Sequence, residues 1–202
     1  MPSQHTGPAI TMHRDDVDTD QIVPAEYCKR ITKTGYDDAL FIHWRQDADF
    51  PLNRPEAARA TVLIAGHNFG TGSSREHAVW ALRDWGFEAV VATSFGDIFR
   101  RNALKNRLLP VELAVEPVRE LTELVDASPQ TPVSVDLVEL MVRAGPLSYR
   151  FELEDRARVL LLEDLDEIAI TLTGDEAISA HERSRFDWLP VVGACSSVII
   201  GG

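Results

Sequence analysis

A glycine-rich turn carries the side chains of this chain that are best suited to chemistry. Segment 70–75 (Gly-Thr-Gly-Ser-Ser-Arg) brings two hydroxyls and one guanidinium together just before a predicted helix. Free backbone N–H groups at the start of a helix attract anions, and an arginine side chain can bind a carboxylate through two parallel hydrogen bonds. The turn therefore predicts a binding site for an acidic small molecule, with a serine placed to act on it.

The same turn also allows a purely structural interpretation. Ser73 and Glu76 fit the S-x-x-E capping box, in which each side chain binds the backbone N–H of the other residue, and helix caps are much commoner than catalytic serines. Three better-known motifs are excluded. Arg75 stands where a dinucleotide-binding fingerprint needs glycine, Glu76 stands where a hydrolase elbow needs its second glycine, and no Gly-Lys-Ser/Thr triplet of a P-loop occurs.

The segments around the turn predict the elements that position it. Val62–Ala65 is a short apolar run typical of a buried strand. Apolar residues at helical spacing continue from Ala78 to Trp85, and Gly86 stands where this helix is expected to end. Further strands are predicted at Ala9–Met12, Glu88–Ala92, Leu109–Leu113 and Val133–Leu137, with a meander over 138–142 and 147–153. Further helices are predicted from Ser94 as cap to Asn106, from the turn containing Pro117 to Ala127, and over Arg156–Leu162 and Glu176–Glu182. This order predicts an α/β fold, with a hairpin-rich part after the alternating part.

Composition limits the classes of partner and compartment. The chain has 202 residues, 45% of them hydrophobic, which is enough for one domain with a core, with or without an appendage. Its 32 acidic and 20 basic residues give a formal charge of −12, so we expect neither nucleic acid nor an anionic membrane surface as a partner. No apolar run is long enough to cross a membrane and the first residues lack a secretion signal, so a cytoplasmic location is expected.

The candidate metal ligands do not form a recognisable site in the sequence. Asp16, Asp18 and Asp20 match the first three ligand positions of an EF-hand loop, but Gln21 replaces its glycine and Tyr27 its final glutamate. We expect these aspartates to form Asx-type turns instead. The histidines lack H-x-x-x-H spacing, and a structural hydrogen bond is expected for the histidine at position 77. No metal is expected to be bound by this chain.

Several segments in order resemble the aconitase superfamily. Segment 72–78 (Gly-Ser-Ser-Arg-Glu-His-Ala) is similar to the substrate-binding signature of that superfamily's mobile fourth domain, and the chain resembles more closely the family of 3-isopropylmalate dehydratase small subunits. Other similar segments are 16–24, 32–36, 68–70, 94–99, 108–111 and 165–172. The resemblance implies a swivelling β/β/α domain of the aconitase fourth-domain type over residues 1–189. It leaves 190–202 as a C-terminal tail of unknown role.

The resemblance also implies a reaction and roles for the turn. Members of the family are hydro-lyases that isomerise 2-isopropylmalate and 3-isopropylmalate by dehydration and rehydration in leucine biosynthesis. By position, Ser73 matches the family's catalytic base, Ser74 a hydrogen-bond donor to the dicarboxylic hydroxy-acid substrate, and Arg75 the carboxylate clamp. Thr71 and Gly72 belong to the same substrate-binding turn.

The cysteine count places the cofactor on another chain. Cys28 and Cys195 are the only cysteines, whereas a cubane iron–sulfur cluster is normally held by several thiolates. The resemblance implies a [4Fe-4S] cluster that polarises the substrate hydroxyl and is carried by the partner large subunit. We therefore expect that this chain binds no cofactor itself and is active only with the large subunit.

Substrate choice is expected to depend on the loop after Pro24. The resemblance assigns specificity to five residues of this loop: Tyr27, Cys28, Lys29, Arg30 and Ile31. Cys28 or Ile31 would line an apolar pocket, whereas Lys29 or Arg30 would meet a carboxylate. Two alternatives stay open: a related dehydratase acting on 2-methylmalate or citraconate, and a non-catalytic binding module with the swivel fold. Retention of both the serine and the arginine of the turn argues against the second.

Overall fold

Seven strands form one mixed sheet in residues 1–164 of the computed structural model, which describes residues 3–163, 167–186 and 188. The strands are β1 (Gln4–Thr11), β2 (Val62–Ile64), β3 (Ala89–Ala92), β4 (Leu109–Glu112), β5 (Pro132–Asp136), β6 (Met141–Ala144) and β7 (Leu147–Arg150). Their order across the sheet is β4-β3-β2-β1-β5-β6-β7.

Strand β1 joins a parallel half of the sheet to an antiparallel half. On one side β1, β2, β3 and β4 run parallel, with Ile10 opposite Leu63 and Leu63 opposite Val90. On the other side β1 pairs antiparallel with β5, where Thr6 lies opposite Ser134, and β6 and β7 continue this half as hairpins. The carboxyl ends of β1, β2 and β3 meet at one edge of the sheet, so the loops that follow them converge there.

Five α-helices and four 3-10 helices accompany the sheet. The α-helices are α1 (Thr19–Ile22), α2 (Glu76–Trp85), α3 (Asp97–Lys105), α4 (Val115–Ala127) and α5 (Asp155–Leu162). The 3-10 helices are Ala25–Lys29, Trp44–Gln46, Pro51–Asn53 and Pro55–Arg59. All four 3-10 helices lie between β1 and β2, in the segment that includes the predicted specificity loop.

Alternating residues of the parallel strands feed two separate hydrophobic clusters. Leu63 and Val90 belong to the cluster that contains Leu82 of α2 and Phe99 of α3. Their neighbours along the strands, including Val62 and Val91, belong to a second cluster. That cluster also contains Val118, Leu121 and Val125 of α4. Successive side chains of a strand point to opposite faces, so the parallel half of the sheet is covered by helices on both sides.

Residues 165–202 form a second unit. Its described part contains α6 (Glu167–Leu172) and α7 (Asp175–Arg183), followed by stacked rings of Phe186 and Trp188 whose centroids are 6.1 Å apart. Across the described residues, no helix has the length and apolar character that a bilayer crossing requires. The predicted boundary at residue 189, the tail 190–202 and Cys195 lie outside the described residues, so the domain division stays a prediction.

The predicted strands and most helices are confirmed, with three corrections. Strand β1 begins at Gln4 rather than Ala9, because its first half pairs with β5. Helix α3 begins at Asp97 and not after a Ser94 cap, because the Ser94 hydroxyl accepts a hydrogen bond from the Asn68 N–H instead. The 3-10 helices and α6 were not among the predicted elements.

Gly70 tests how tightly the turn after β2 is packed. Its φ is +75°, and an added Cβ would lie 2.2 Å from Phe99 Cγ. We expect Gly70→Ala to cost about 1–2 kcal/mol for the left-handed backbone and a further ~1–3 kcal/mol for overpacking. Gly35→Ala is the matched control, because Gly35 has φ +85° with no atom within 4 Å of an added Cβ. Urea unfolding should show the larger loss for Gly70→Ala; equal losses would contradict the packing argument.

Candidate active-site surface

The turn after β2 pairs with the acidic loop after β1 through backbone hydrogen bonds. The N–H groups of Gly70 and Thr71 both donate to the carbonyl oxygen of Val17, at 2.8 and 3.1 Å. The N–H of Thr19 donates to the carbonyl oxygen of Thr71 at 3.0 Å, so Asp18 and Thr71 form a short parallel bridge. The two loops are therefore joined much as two strands would be.

A third loop, after β3, holds the other side of the turn. The N–H of Phe69 donates to the Ser94 carbonyl and the N–H of Gly96 donates to the Phe69 carbonyl, both at 3.0 Å. The Ser94 hydroxyl also bonds the His67 ring at 2.9 Å. The turn is thus held between the loops that follow β1 and β3, at the edge of the sheet where the strands end.

Of the aspartates in the acidic loop, Asp18 makes the predicted Asx-type contact, accepting a hydrogen bond from the Asp20 N–H, whereas Asp15 and Asp16 bind the loop after β2 instead. Asp15 accepts a hydrogen bond from the His67 N–H at 2.6 Å, and Asp16 accepts one from the Asn68 side chain at 2.8 Å. Asp18 forms a complete capping box at the start of α1 with Gln21. These carboxylates are therefore used to hold the loops together.

Ser73 and Ser74 lie exposed at the tip of the turn. The hydroxyl of Thr19 donates to the backbone carbonyl of Ser73 at 2.9 Å, which fixes the main chain there. Gly72 packs against Asp18 so closely that an added Cβ would lie 2.2 Å from its Oδ2 atom. The two serines are therefore exposed on a backbone that Thr19 and Asp18 hold in place.

The capping-box interpretation of Ser73 and Glu76 is wrong. Helix α2 begins at Glu76 with Arg75 as its N-cap residue, and no side chain caps it. Glu76 instead accepts a hydrogen bond at 2.7 Å from the amide of Asn106, at the end of α3. Because Glu76 binds the end of α3, it does not form a capping box with Ser73, and the Ser73 side chain does not cap α2.

Arg75 forms an ion pair with Asp20 of α1. Its side chain is 17% exposed, while its Nη1 atom is buried and has no aligned hydrogen-bond partner among the described residues. The guanidinium of Arg75 lowers the pKa of the Asp20 carboxyl, and Asp20 raises the pKa of Arg75. Asp20 stands 55 positions earlier in the chain, and no local pattern in the sequence indicates it as the partner.

The predicted specificity residues differ in how much they are already engaged. Tyr27 and Cys28 are half-buried in the 3-10 helix Ala25–Lys29, whereas Lys29 is exposed and Ile31 is 99% exposed. Arg30 binds both carboxylate oxygens of Asp38 at 2.8 Å, and its guanidinium lies 4.9 Å from the Tyr27 ring centroid. Arg30 thus already holds a carboxylate of its own chain.

Cys28 is the one cysteine in the described part of the chain. Because a cubane cluster needs several thiolates, the described residues do not offer a ligand set for one.

A cavity of about 660 Å³ opens at the same edge of the sheet but is lined by other residues. They include His13, His67 and Asp126, and His13 pairs with Asp126 at 2.7 Å. Ser73, Ser74 and Arg75 do not line this cavity; the two serines are exposed and Arg75 is half-buried. Within the part of the chain that the structure describes, the two hydroxyls of the turn are therefore open to the outside.

His77, the second residue of α2, packs among aromatic rings. The centroid of its ring lies 5.5 Å from that of Tyr36 and 4.7 Å from that of Trp80. A structural hydrogen bond was expected here, and edge-on ring contacts are found. Burial lowers the pKa of His77 from its ordinary 6.5.

The lowered pKa of His77 predicts a loss of stability in acid. The unfolded chain binds this proton more readily than the folded chain, so the free energy of unfolding falls as the pH drops through 6.5 towards the lower folded pKa. His77→Gln should make the free energy of unfolding less dependent on pH between about 7.5 and 5.5. Urea unfolding of both chains across this range measures the difference, and identical slopes would refute it.

Comparisons with known proteins agree with this architecture. A sequence profile of the aconitase C-terminal domain matches residues 3–116. The 3-isopropylmalate dehydratase small subunit of Salinispora arenicola is 53% identical over 188 residues, which cover 93% of this chain and 96% of that protein. The protein of the same name from Thermobifida fusca is 52% identical over 187 residues, with the same coverage.

A solved structure shows the same fold. The crystal structure of 3-isopropylmalate dehydratase from Methanocaldococcus jannaschii matches with a TM-score of 0.64 and 27% identity, over 89% of this chain and 99% of that one. The predicted fold class is confirmed by this match and by the sequence profile. This chain belongs to the aconitase C-terminal domain family, among the small subunits of 3-isopropylmalate dehydratase.

Proposed function

We propose that this chain is the substrate-recognising subunit of a cytoplasmic hydro-lyase that interconverts 2-isopropylmalate and 3-isopropylmalate in leucine biosynthesis. The observation that carries the proposal is the corner built by three converging loops, in which Ser73 and Ser74 are exposed beside the half-buried Arg75. It offers hydroxyls and a guanidinium, which suits recognition of a carboxylate, but it forms only one wall of a site.

In this proposal Arg75 binds a substrate carboxylate and Ser73 handles the proton on the neighbouring carbon. Ser74 and the backbone of Thr71 and Gly72 complete the contact with the substrate. Elimination of water needs a base for that proton and an electrophile for the departing hydroxyl. The turn can provide the first, since a hydroxyl beside a bound carboxylate is within reach of the adjacent carbon.

Serine is a weak base, so its surroundings must favour the ionised form. A helix N-terminus stabilises a negative charge by at most ~2 kcal/mol, and one pKa unit corresponds to about 1.4 kcal/mol. The dipole of α2 alone therefore shifts the ionisation by little more than one unit. Arg75 and cationic groups of a partner chain must add to it, in a site that closes against water.

The missing half of the site is assigned to a large subunit that carries a [4Fe-4S] cluster. When bound there, the cluster supplies the Lewis acid that holds the departing hydroxyl. This assignment is supported by the exposed position of Ser73 and Ser74 and by the single described cysteine, Cys28. The isolated chain is expected to be inert.

The specificity loop offers both apolar and charged groups to a substrate. Arg30 is paired with Asp38 through two hydrogen bonds, whereas Lys29 is exposed, and Cys28 and Ile31 are the less polar members of the loop. An isopropyl group requires an apolar surface, whereas a longer acid would require a cation. The pairing of Arg30 removes one of the two cations and so supports isopropylmalate, while Lys29 is the cation that an acid with a third carboxylate would use.

The roles of Ser73 and Arg75 can be separated kinetically. In a complex with the cluster-bearing large subunit, Ser73→Ala should lower kcat for hydration of isopropylmaleate by at least about a hundredfold, since it removes the proposed base. Arg75→Lys should mainly raise KM, by roughly tenfold or more, because lysine cannot bind a carboxylate through a planar fork.

Matched controls come from the antiparallel half of the sheet. Ser148→Ala and Arg143→Lys change the same residue types on β7 and β6 and should leave both constants unchanged. Size-exclusion chromatography verifies that every variant still assembles. Full turnover by assembled Ser73→Ala would refute the role of the serine as base.

Ile31 tests the substrate assignment. Because its side chain is 99% exposed in this chain, Ile31→Ser should not affect folding. If Ile31 contacts the isopropyl group, the kcat/KM for isopropylmaleate should fall by about tenfold relative to that for citraconate, the size expected for small changes in an apolar pocket. Val138→Ser, at another exposed apolar residue, is the control. A wild-type complex that turns over citraconate alone would replace the substrate.

A further inference from the structure

The hydroxyl of Tyr36 binds the main chain on both sides of Ile31, the last residue of the specificity loop. It donates to the carbonyl oxygen of Arg30 at 3.3 Å and to that of Thr32 at 3.1 Å. Tyr36 is buried, whereas Ile31 between the two carbonyls is 99% exposed. We propose that Tyr36 is a positioning residue, which fixes the main chain around Ile31 so that this side chain meets the isopropyl group of the substrate. The proposal rests on the function proposed above.

Helix α2 gives the Tyr36 hydroxyl a defined position. The centroid of the Tyr36 ring lies 5.7 Å from that of Trp80 and 5.5 Å from that of His77. The backbone N–H of Tyr36 donates to the Asp84 carboxylate at 2.9 Å. Three residues of α2 thus contact both the ring and the main chain of Tyr36. Burial raises the pKa of Tyr36 from its ordinary 10.0, so the hydroxyl stays protonated and acts as a donor at neutral pH.

The two carbonyl groups depend on this hydroxyl because regular structure does not bind them. The 3-10 helix ends at Lys29, and within residues 3–163 no backbone N–H donates to the carbonyl of Arg30 or of Thr32. The segment returns towards Tyr36 through Gly35, whose φ of +85° is left-handed, and the Arg30 side chain donates to the Gly35 carbonyl at 2.5 Å. Side chains, and the Tyr36 hydroxyl among them, therefore hold this segment.

A tyrosine that merely filled the core would give a different kinetic result. Loss of its hydroxyl would then lower the melting temperature but would affect two related substrates alike. If the hydroxyl positions Ile31, its loss leaves the main chain there free to move, and the segment must be ordered during substrate binding. That cost falls on a substrate whose isopropyl group uses Ile31, and much less on citraconate, which carries only a methyl group. The ratio of the two kcat/KM values therefore separates positioning from core packing.

The first test is Tyr36→Phe in the complex with the large subunit. Phenylalanine keeps the ring against Trp80 and His77 but removes the donor. We expect kcat/KM for isopropylmaleate to fall about fivefold relative to that for citraconate, the size expected for one lost hydrogen bond. Tyr149→Phe, which removes a hydroxyl that binds Glu120, is the matched control and should leave the ratio unchanged. An unchanged ratio in the assembled Tyr36→Phe complex overturns the proposal.

A double-mutant cycle tests whether Tyr36 acts through Ile31. If it does, Tyr36→Phe should change the ratio of kcat/KM values much less in an Ile31→Ser background than in the wild type. Equal effects in both backgrounds would overturn positioning through Ile31. If the wild-type complex itself fails to hydrate isopropylmaleate, the proposed function has failed, which is a separate outcome from either result on Tyr36.

The hold on the main chain has a readout that needs no activity. Trypsin cleaves after lysine and arginine, and Lys29, Arg30 and Lys33 lie on both sides of Ile31. Cleavage of a folded chain requires local opening, so Tyr36→Phe in the full chain should speed cleavage at these sites several-fold, whereas Tyr149→Phe should not. Mass spectrometry of the fragments identifies the sites. An unchanged rate there, or faster cleavage throughout the chain alike, would overturn the proposal.

Discussion

The carbonyl oxygen of Val17 accepts hydrogen bonds from two successive N–H groups, those of Gly70 and Thr71, and the arrangement of the site depends on this junction. It joins the loop after β1 to the loop after β2, and only a backbone that can turn sharply at Gly70 can offer both donors to one acceptor. Gly70 packs against Phe99 of α3, so the junction also contacts the hydrophobic cluster that contains Phe99. Serine hydroxyls at the tip gain a defined position from contacts that they do not themselves make.

Most of the carboxylates around this junction accept hydrogen bonds that hold the loops in place. Asp15 and Asp16 accept hydrogen bonds from the loop after β2, and Asp18 accepts one from the Asp20 N–H of its own segment, so these carboxylates also hold the structure together. Asp20 differs, because it faces the arginine of the turn. The chain has a formal charge of −12, so its carboxylates compete with an anionic ligand for any cation. A cation can still attract such a ligand where the nearby carboxylates bind other groups, or where they are fixed on one side of the cation.

Local patterns in the sequence were sufficient for the strands and for α2, because burial of alternate or helically spaced apolar residues follows directly from composition along the chain. They failed where a distant partner decided the outcome. Ser73 and Glu76 satisfy the capping-box pattern, yet Asn106 takes the glutamate; β1 extends to Gln4 because β5 lies beside it. The residue types alone identify the glycine-serine-arginine turn. Its hydrogen bonds with the acidic loop and the pairing of Arg75 with Asp20 depend on the tertiary fold and could not be predicted from local patterns.

The way the turn is held also bears on how the two-chain enzyme would come together. Hydrogen bonds from neighbouring loops already fix the backbone around Ser73 before any companion chain arrives. Association would then have little ordering of this wall to accomplish, which lowers its entropic cost. Mixing of separately purified halves would accordingly regain turnover at a rate set by molecular collision, proportional to concentration, rather than by a slow unimolecular refolding step.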